Sequence, residues 1–143
     1  MIDSILLVDD EDLFHLVFED ACSLLDISLS LQCISSSDEA ASLFKKIMEG
    51  RAEKPECVFV DLNIIGSSFD GIELIRKINF EYGDGVVIGI ISSSNDAIEQ
   101  AKAVKAGAQF WIIKSDNIEP RLEEFKKDYP GFRNRTASFR VYK

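Results

Sequence analysis

Five polar side chains follow directly on apolar stretches of the sequence, and their types suit the chemistry of phosphoryl groups. They are Asp9, Asp10, Asp61, Ser92 and Lys114. Clustered carboxylates repel one another unless a proton or a cation lies between them. Oxygen donors without His or Cys favour a hard cation, Mg²⁺ in preference to zinc. A magnesium–carboxylate site with an ammonium and a hydroxyl beside it can neutralise and orient a phosphoryl group.

These side chains can act together only if the apolar stretches before them lie side by side. Five stretches have the composition of strands: Ile5–Val8, Ser28–Ile34, Cys57–Val60, Val86–Ile91 and Phe110–Ile113. Four of them are nearly continuous and rich in β-branched residues, as in strands that are covered on both faces. The second stretch alternates apolar and polar residues, which favours an edge strand.

Apolar residues at helical spacing follow each predicted strand and mark five helices. In the first helix they are Leu13, Leu16, Val17, Ala21, Leu24 and Leu25. Ser36 and Glu39 have the spacing of a capping box at the start of the second. Gly107 ends the fourth, and Pro120 lies in the first turn of the fifth, where proline is tolerated.

This alternation predicts an α/β fold with a doubly wound, five-stranded parallel sheet and helices on both faces. The flavodoxin-like strand order 2-1-3-4-5 fits best, because the second strand reads as an edge. Ligands of such sheets bind beyond the carboxyl ends of the strands, so the five polar side chains should meet at one rim. The Pro130–Gly131 pair predicts a boundary between a domain of residues 1–130 and a basic C-terminal extension, residues 131–143.

The charge is acidic and unevenly distributed. The 143 residues carry a formal net charge of −9, and ten acids precede the first basic residue, Lys45. Nucleic-acid binding rests on basic residues that neutralise phosphates, so this composition argues against it. Apolar runs of about six residues are far below the ~20 that cross a membrane, and no secretory signal is apparent. Three scattered cysteines without a CxxC pair are typical of a reducing cytoplasm.

Two further features have simple interpretations. The extension holds four basic residues and no acid, and we expect it to be solvated rather than a nucleic-acid arm. Its Phe139, Val141 and Tyr142 leave open that it adds an edge strand or contacts a partner. His15, the only histidine, is interpreted as an ordinary helix residue, and Glu11 as an acid of the first helical turn.

Four segments together resemble a response-regulator receiver domain over about residues 3–128. The matching strings are LLVDDE at residues 6–11, VDLN at 60–63, IISSS at 90–94 and AGAQFWIIK at 106–114. The resemblance implies that Asp61 accepts a phosphoryl group as an acyl phosphate. Ser92 would hydrogen-bond a phosphoryl oxygen, and Lys114 would pair with it. The implied Mg²⁺ ligands are Asp10, Asp9 (largely through water), Asp61 and the backbone carbonyl of Asn63.

The resemblance also implies partners and tuning positions. Ser93 is small enough to admit a phosphoryl group, while Asn63 and Ser94 hold positions that tune the acyl-phosphate lifetime. The phosphoryl donor would be a histidine kinase or a histidine phosphotransfer protein. A stand-alone cytoplasmic regulator, monomeric or weakly dimeric, would signal to another protein through its fourth helix, fifth strand and fifth helix. Such a domain is not an enzyme beyond its own phosphorylation and dephosphorylation.

Three departures from the family pattern stand near the predicted site. Eight residues separate Asp61 from Asp70, two more than usual, and Ile64–Ile65 replaces Met-Pro. We expect this longer loop to be flexible because it contains Gly66 and two serines. Trp111 stands at the switch position that usually holds Tyr or Phe. Lys114 is followed by Ser115 instead of Pro, so a cis peptide there would cost ~3 kcal/mol or be absent.

Two other functions fit parts of the pattern. A receiver-like interaction module could keep the acids without switching by phosphorylation, as the tryptophan and the longer loop suggest. A phosphatase or mutase of the haloacid dehalogenase type also uses a strand-end Asp, a hydroxyl, a Lys and Mg²⁺. That class is disfavoured because Asn63 replaces its second Asp and Asp9–Asp10 precede the nucleophile.

Overall fold

A computed structural model describes residues 2–82, 85–115 and 117–143. Strands and helices alternate along the chain, as the sequence predicts. The strands are β1 (Ile2–Val8), β2 (Ser28–Ile34), β3 (Cys57–Asp61), β4 (Val87–Ser92), β5 (Phe110–Ile113) and β6 (Arg140–Tyr142). The helices are α1 (Asp12–Leu24), α2 (Ser37–Met48), α3 (Gly71–Tyr82), α4 (Ala97–Ala106) and α5 (Glu119–Arg133). No helix within the described residues is long and apolar enough to cross a membrane.

All neighbouring strands pair in parallel, in the order β2-β1-β3-β4-β5-β6. The predicted order 2-1-3-4-5 and the parallel sheet are confirmed. The strand count of five was wrong, because β6 extends the sheet beyond β5. The apolar residues of the tail therefore form the edge strand that the sequence left open.

Two apolar clusters cover the two faces of the sheet. The α1 and α5 side contains Phe18, Phe59, Phe110 and Phe125, whose rings lie in edge-to-face and tilted contact. The other side holds the buried residues of α2, α3 and α4 together with Trp111. Strands covered on both faces need no polar side of their own, which explains the continuous apolar runs.

The buried face of α1 differs from the spacing read in the sequence. Phe14, Phe18, Ala21 and Cys22 are buried, whereas Leu13, Leu16 and Leu24 are exposed. Both sets recur at helical spacing, so periodicity alone cannot choose between them. The aromatic rings decide the orientation, because they reach Phe59 at the centre of the sheet, 5.0 Å from Phe18 between ring centroids.

The helix boundaries follow local rules. Ser36 caps α2 by accepting a hydrogen bond from the Glu39 N–H at 3.1 Å, as the capping box predicts. Gly107 ends α4 in the left-handed region with φ of 110°. Pro130–Gly131 does not end α5, which continues to Arg133. The predicted domain boundary at this pair therefore falls inside α5, and Phe132 in its last turn is buried in the core.

Candidate functional site

The carboxyl ends of β1, β3 and β5 bring three of the predicted side chains together. The Lys114 ammonium lies 2.6 Å from Asp9 Oδ2 and 3.4 Å from Asp61 Oδ1. Both carboxylates are buried, and the Lys114 side chain is 12% exposed. These contacts follow from the parallel register, because Asp9 and Lys114 come directly after β1 and β5 and Asp61 is the last residue of β3.

Glu11 joins this group, although the sequence interpretation made it an ordinary first-turn acid. The helix α1 begins one residue later, so Glu11 lies in the loop after β1. Its carboxylate is 3.5 Å from the Lys114 ammonium, and its N–H donates to Asp9 Oδ1 at 2.9 Å. Carboxylate oxygens of Asp9, Glu11 and Asp61 all lie within 4.8 Å of one another. Glu11 follows the end of β1 by three residues, but its place at the site depends on where α1 begins, which the sequence pattern does not show.

The close carboxylates perturb the acid–base behaviour of the site. Burial raises the pKa of Asp61 to about 6, and the negative charge of Asp9 adds to this while Lys114 opposes it. Burial lowers the pKa of Lys114, but its hydrogen bond to Asp9 and the charge of Asp61 outweigh that and raise it. Lys114 therefore stays protonated, and Asp61 is mostly ionised at neutral pH.

Two side chains of α1 support the site, and neither was assigned a role there from the sequence. The Phe14 ring lies under Lys114, with the ammonium 4.5 Å from the ring centroid, a cation–π distance. His15 Nε2 lies 2.5 Å from the backbone oxygen of Asp9. His15 was taken as an ordinary helix residue, yet it holds the end of β1. Both residues lie in the first turn of α1 and face the end of β1. Their proximity to the site depends on the orientation of α1, which the sequence pattern does not show.

Asp10 and Asn63, the other predicted magnesium ligands, occupy the same rim. Asp10 is half-buried, and its charge helps to raise the pKa of Asp61. It is not among the carboxylates that cluster within the described residues. Asn63 is exposed in the turn after β3. The ligand roles of both residues stay predictions.

The three serines after β4 form a short hydrogen-bonded loop. Ser92 is buried, and its hydroxyl accepts a hydrogen bond from the Ser94 N–H at 3.1 Å. The Lys114 N–H donates to the Ser92 carbonyl at 2.8 Å, which ties the ends of β4 and β5 together. Ser93 is exposed, as expected for a small residue at the entrance of the site.

Trp111 faces the interior. The indole is 0% exposed, and its Nε1–H donates to the Ser94 carbonyl at 3.0 Å. The residue predicted to be the switch aromatic is therefore buried and hydrogen-bonded to the loop that follows Ser92. The Lys114–Ser115 peptide is trans.

The longer loop after β3 is hydrogen-bonded to α2. Ser67 Oγ accepts a hydrogen bond from the Ser37 N–H at 3.0 Å, and the Ser68 N–H donates to Asp38 Oδ2 at 3.1 Å. Ile64 is buried, while Ile65 is exposed. Two serines of this loop thus connect it to the first turn of α2.

The doubly wound α/β fold, with a lysine and clustered carboxylates at the ends of its central strands, agrees with the receiver-domain resemblance of the sequence. The chain belongs to the response regulator receiver domain family, whose model matches residues 5–123. A sequence comparison with curated proteins finds no match.

Solved response regulators share this fold at low sequence identity. The phosphorylated cyanobacterial phytochrome response regulator RcpA is 19% identical, with a TM-score of 0.74 over 96% of this chain and 98% of its own. RPA3017, from red light signalling in R. palustris, is 22% identical, with a TM-score of 0.76 over 96% and 97%. Mn²⁺-bound Rcp1 is 17% identical, with a TM-score of 0.72 over 95% and 97%. At these identities the likeness concerns the fold alone.

Proposed function

We propose that this chain is a single-domain response regulator that accepts a phosphoryl group on Asp61 from a histidine kinase or a histidine phosphotransfer protein. The observation that carries this proposal is the contact of the buried Asp61 carboxylate with the Lys114 ammonium at 3.4 Å. A lysine that is already positioned beside Asp61 can neutralise phosphoryl oxygens without first having to move there from the solvent-exposed surface. Membership of the receiver family supports the same reaction.

The transfer itself is a simple displacement. A carboxylate oxygen of Asp61 attacks phosphorus, the bond from phosphorus to the donor nitrogen breaks, and its electron pair returns to the imidazole. Asp61 must be ionised to attack, and a pKa of about 6 leaves it so at neutral pH. Ser92, whose Oγ accepts the Ser94 N–H, would donate its hydroxyl proton to a phosphoryl oxygen.

The donor set fits Mg²⁺. Carboxylate oxygens of three acids lie within 4.8 Å of one another at the strand ends, and hard oxygen donors suit this ion. We propose Asp9, Asp10, Asp61 and the Asn63 carbonyl as its ligands, with Glu11 as a further acid at the site. When bound, the ion would supply positive charge for the phosphoryl oxygens. It would also relieve the repulsion among the carboxylates.

The test is phosphorylation by acetyl phosphate with Mg²⁺, followed by intact mass and by sensitivity of the product to hydroxylamine, which cleaves acyl phosphates. The wild type should gain one phosphoryl group, and Asp61→Asn should gain none. Asp20→Asn, which removes an exposed acid of α1, is the matched control and should react like the wild type. Equal labelling of the wild type and Asp61→Asn would contradict the proposal.

Phosphotransfer profiling against the histidine kinases of the host would then identify the donor, with Asp61→Ala as control. We propose a cytoplasmic location, which agrees with the free thiols of Cys22, Cys33 and Cys57. The output surface would be formed by α4, β5 and α5. On this view the protein acts as a monomer or weak dimer and binds no nucleic acid.

The alternative is an interaction module that does not switch. The buried, hydrogen-bonded indole of Trp111 favours it, because a locked aromatic side chain cannot report on Asp61. It predicts equal partner binding by the wild type and Asp61→Ala. A large loss of binding in the variant would exclude it.

A further inference from the structure

The strand β6 is fastened to α5 by side chains on one face of the sheet. The Arg140 guanidinium donates hydrogen bonds to Asp128, at 2.6 Å, and to Glu124. The Tyr142 hydroxyl donates to the same Asp128 oxygen at 2.6 Å, and the Tyr142 side chain is buried. Arg140 also lies over the Tyr142 ring, 4.5 Å from its centroid. These contacts hold a strand of only three residues.

On the opposite face, β6 covers Trp111. The register pairs Trp111 with Val141 of β6 on one side and with Ile90 of β4 on the other. Paired residues of adjacent strands project to the same face, so Val141 flanks the indole. Val141 and Phe139 both pack against the cluster that contains Trp111. The side of β5 that would otherwise be an open sheet edge is therefore occupied.

The buried indole is linked through one residue to the proposed phosphoryl-binding hydroxyl. Ser94 accepts the Trp111 Nε1–H with its carbonyl and donates its N–H to Ser92 Oγ. A movement of Ser92 toward Asp61 would break the second bond, and a movement of the indole would break the first. Both bonds end on Ser94, so a displacement of its backbone would affect both side chains.

We propose that β6 is a clamp that keeps Trp111 in the sheet and its indole N–H on Ser94. The indole can turn toward solvent beyond β5 only after β6 separates from that strand. Release of β6 thereby becomes the event that exposes the surface of α4, β5 and α5. The clamp is a property of the unmodified fold, and only its link to phosphorylation rests on the proposed function.

The experiment uses acrylamide quenching of Trp111, the only tryptophan of the chain. The double variant Arg140→Ala/Tyr142→Phe removes the contacts to Asp128 and keeps the buried ring. The quenching constant should rise about threefold or more, because local opening of an element exposes what it covers. Arg133→Ala removes an exposed arginine paired with Glu56 at 3.2 Å, away from β6, and should quench like the wild type.

Hydrogen exchange of the β6 amides accompanies the quenching, and Val141→Ala replaces the double variant if the latter does not fold. Faster exchange in β6 together with stronger quenching supports the clamp. Faster exchange of β6 with unchanged quenching overturns it, because the indole is then held by other contacts. Unchanged exchange and quenching also overturn it, because the contacts to Asp128 then do not fasten β6. An equal rise in Arg133→Ala also overturns it.

A second series adds beryllofluoride with Mg²⁺, a mimic of the phosphoryl group. The clamp predicts stronger quenching in the wild type on addition of the mimic and no change in Asp61→Asn. Failure of Asp61 to take up phosphoryl groups from acetyl phosphate would sink the proposed function. The quenching experiments without beryllofluoride would still test whether β6 holds Trp111 in place.

Discussion

Two groups of charges in this molecule have similar composition and opposite character. Lys114 lies among three carboxylates at the strand ends, and its side chain is 12% exposed. Arg140 lies between Glu124 and Asp128 on α5, and its side chain is 46% exposed. In the first group Asp9 and Asp61 are buried while Glu11 is exposed, and burial raises the pKa of Asp61. In the second, water screens the charges, so the pairs serve only to hold β6.

The comparison shows that the burial of the charged groups, more than the number of ion pairs, distinguishes the candidate reactive site around Lys114 from the ion pairs of Arg140, which only hold β6 against α5. A buried acid cluster with too few cations is strained until a cation or a proton enters it. An exposed ion pair needs neither a cation nor a proton, because water solvates its charges. Four substitutions test this difference, in order of decreasing expected effect.

Lys114→Ala should destabilise the metal-free protein by about 3–5 kcal/mol at pH 7, because it leaves buried carboxylates without their cation. Urea unfolding measures this change, and added Mg²⁺ should recover much of it. A decrease in the free energy of unfolding below 1 kcal/mol would mean that the ion pairs of Lys114 contribute no more than the exposed pairs of Arg140.

Asp61→Asn should stabilise the metal-free protein by about 2 kcal/mol at pH 7.5. The folded pKa of about 6 lies above the ordinary 3.8, so the native wild type binds the extra proton between these values. Its stability therefore falls as pH rises through this window, and the advantage of Asn should vanish below pH ~4. Urea unfolding at several pH values tests the sign, and a destabilised Asp61→Asn at pH 7.5 would contradict it.

Phe14→Leu should cost about 1–2 kcal/mol, from lost packing and from the lost cation–π contact with Lys114. A double-mutant cycle with Lys114→Met isolates the second part, and we expect a coupling of about 0.5–1 kcal/mol. Additive free energies of unfolding would show that the ring supports α1 packing alone.

Arg140→Gln should cost only about 0.5 kcal/mol, and the cost should shrink in high salt, because both of its ion pairs are exposed. Arg133→Gln, which removes an exposed arginine paired with the half-buried Glu56, is the control. A loss above 2 kcal/mol for Arg140→Gln would mean that β6 supports the global fold instead of closing over it.

Much of the fold was readable because local pattern and topology agree in this chain. Continuous apolar runs require strands covered on both faces, and right-handed crossovers leave few arrangements. Asp9, Asp61 and Lys114 could be placed together because parallel strand ends share one edge. Glu11 and Phe14 could not, since their place depends on where α1 begins and how it is turned. The face of α1 was misread because two apolar stripes compete and only the packing against Phe59 separates them.

By itself, the sequence determined the alternation of strands and helices, the order of the first five strands, and the acidic rim with its lysine. These follow from short-range patterns and from the geometry common to parallel sheets. Tertiary structure alone decided that α5 runs through Pro130–Gly131 and that the tail forms β6. It also decided that Trp111 is buried with its N–H on Ser94. Each of these features depends on contacts between segments that are distant in the sequence. A strand of three residues is too short to be recognised from its local sequence pattern.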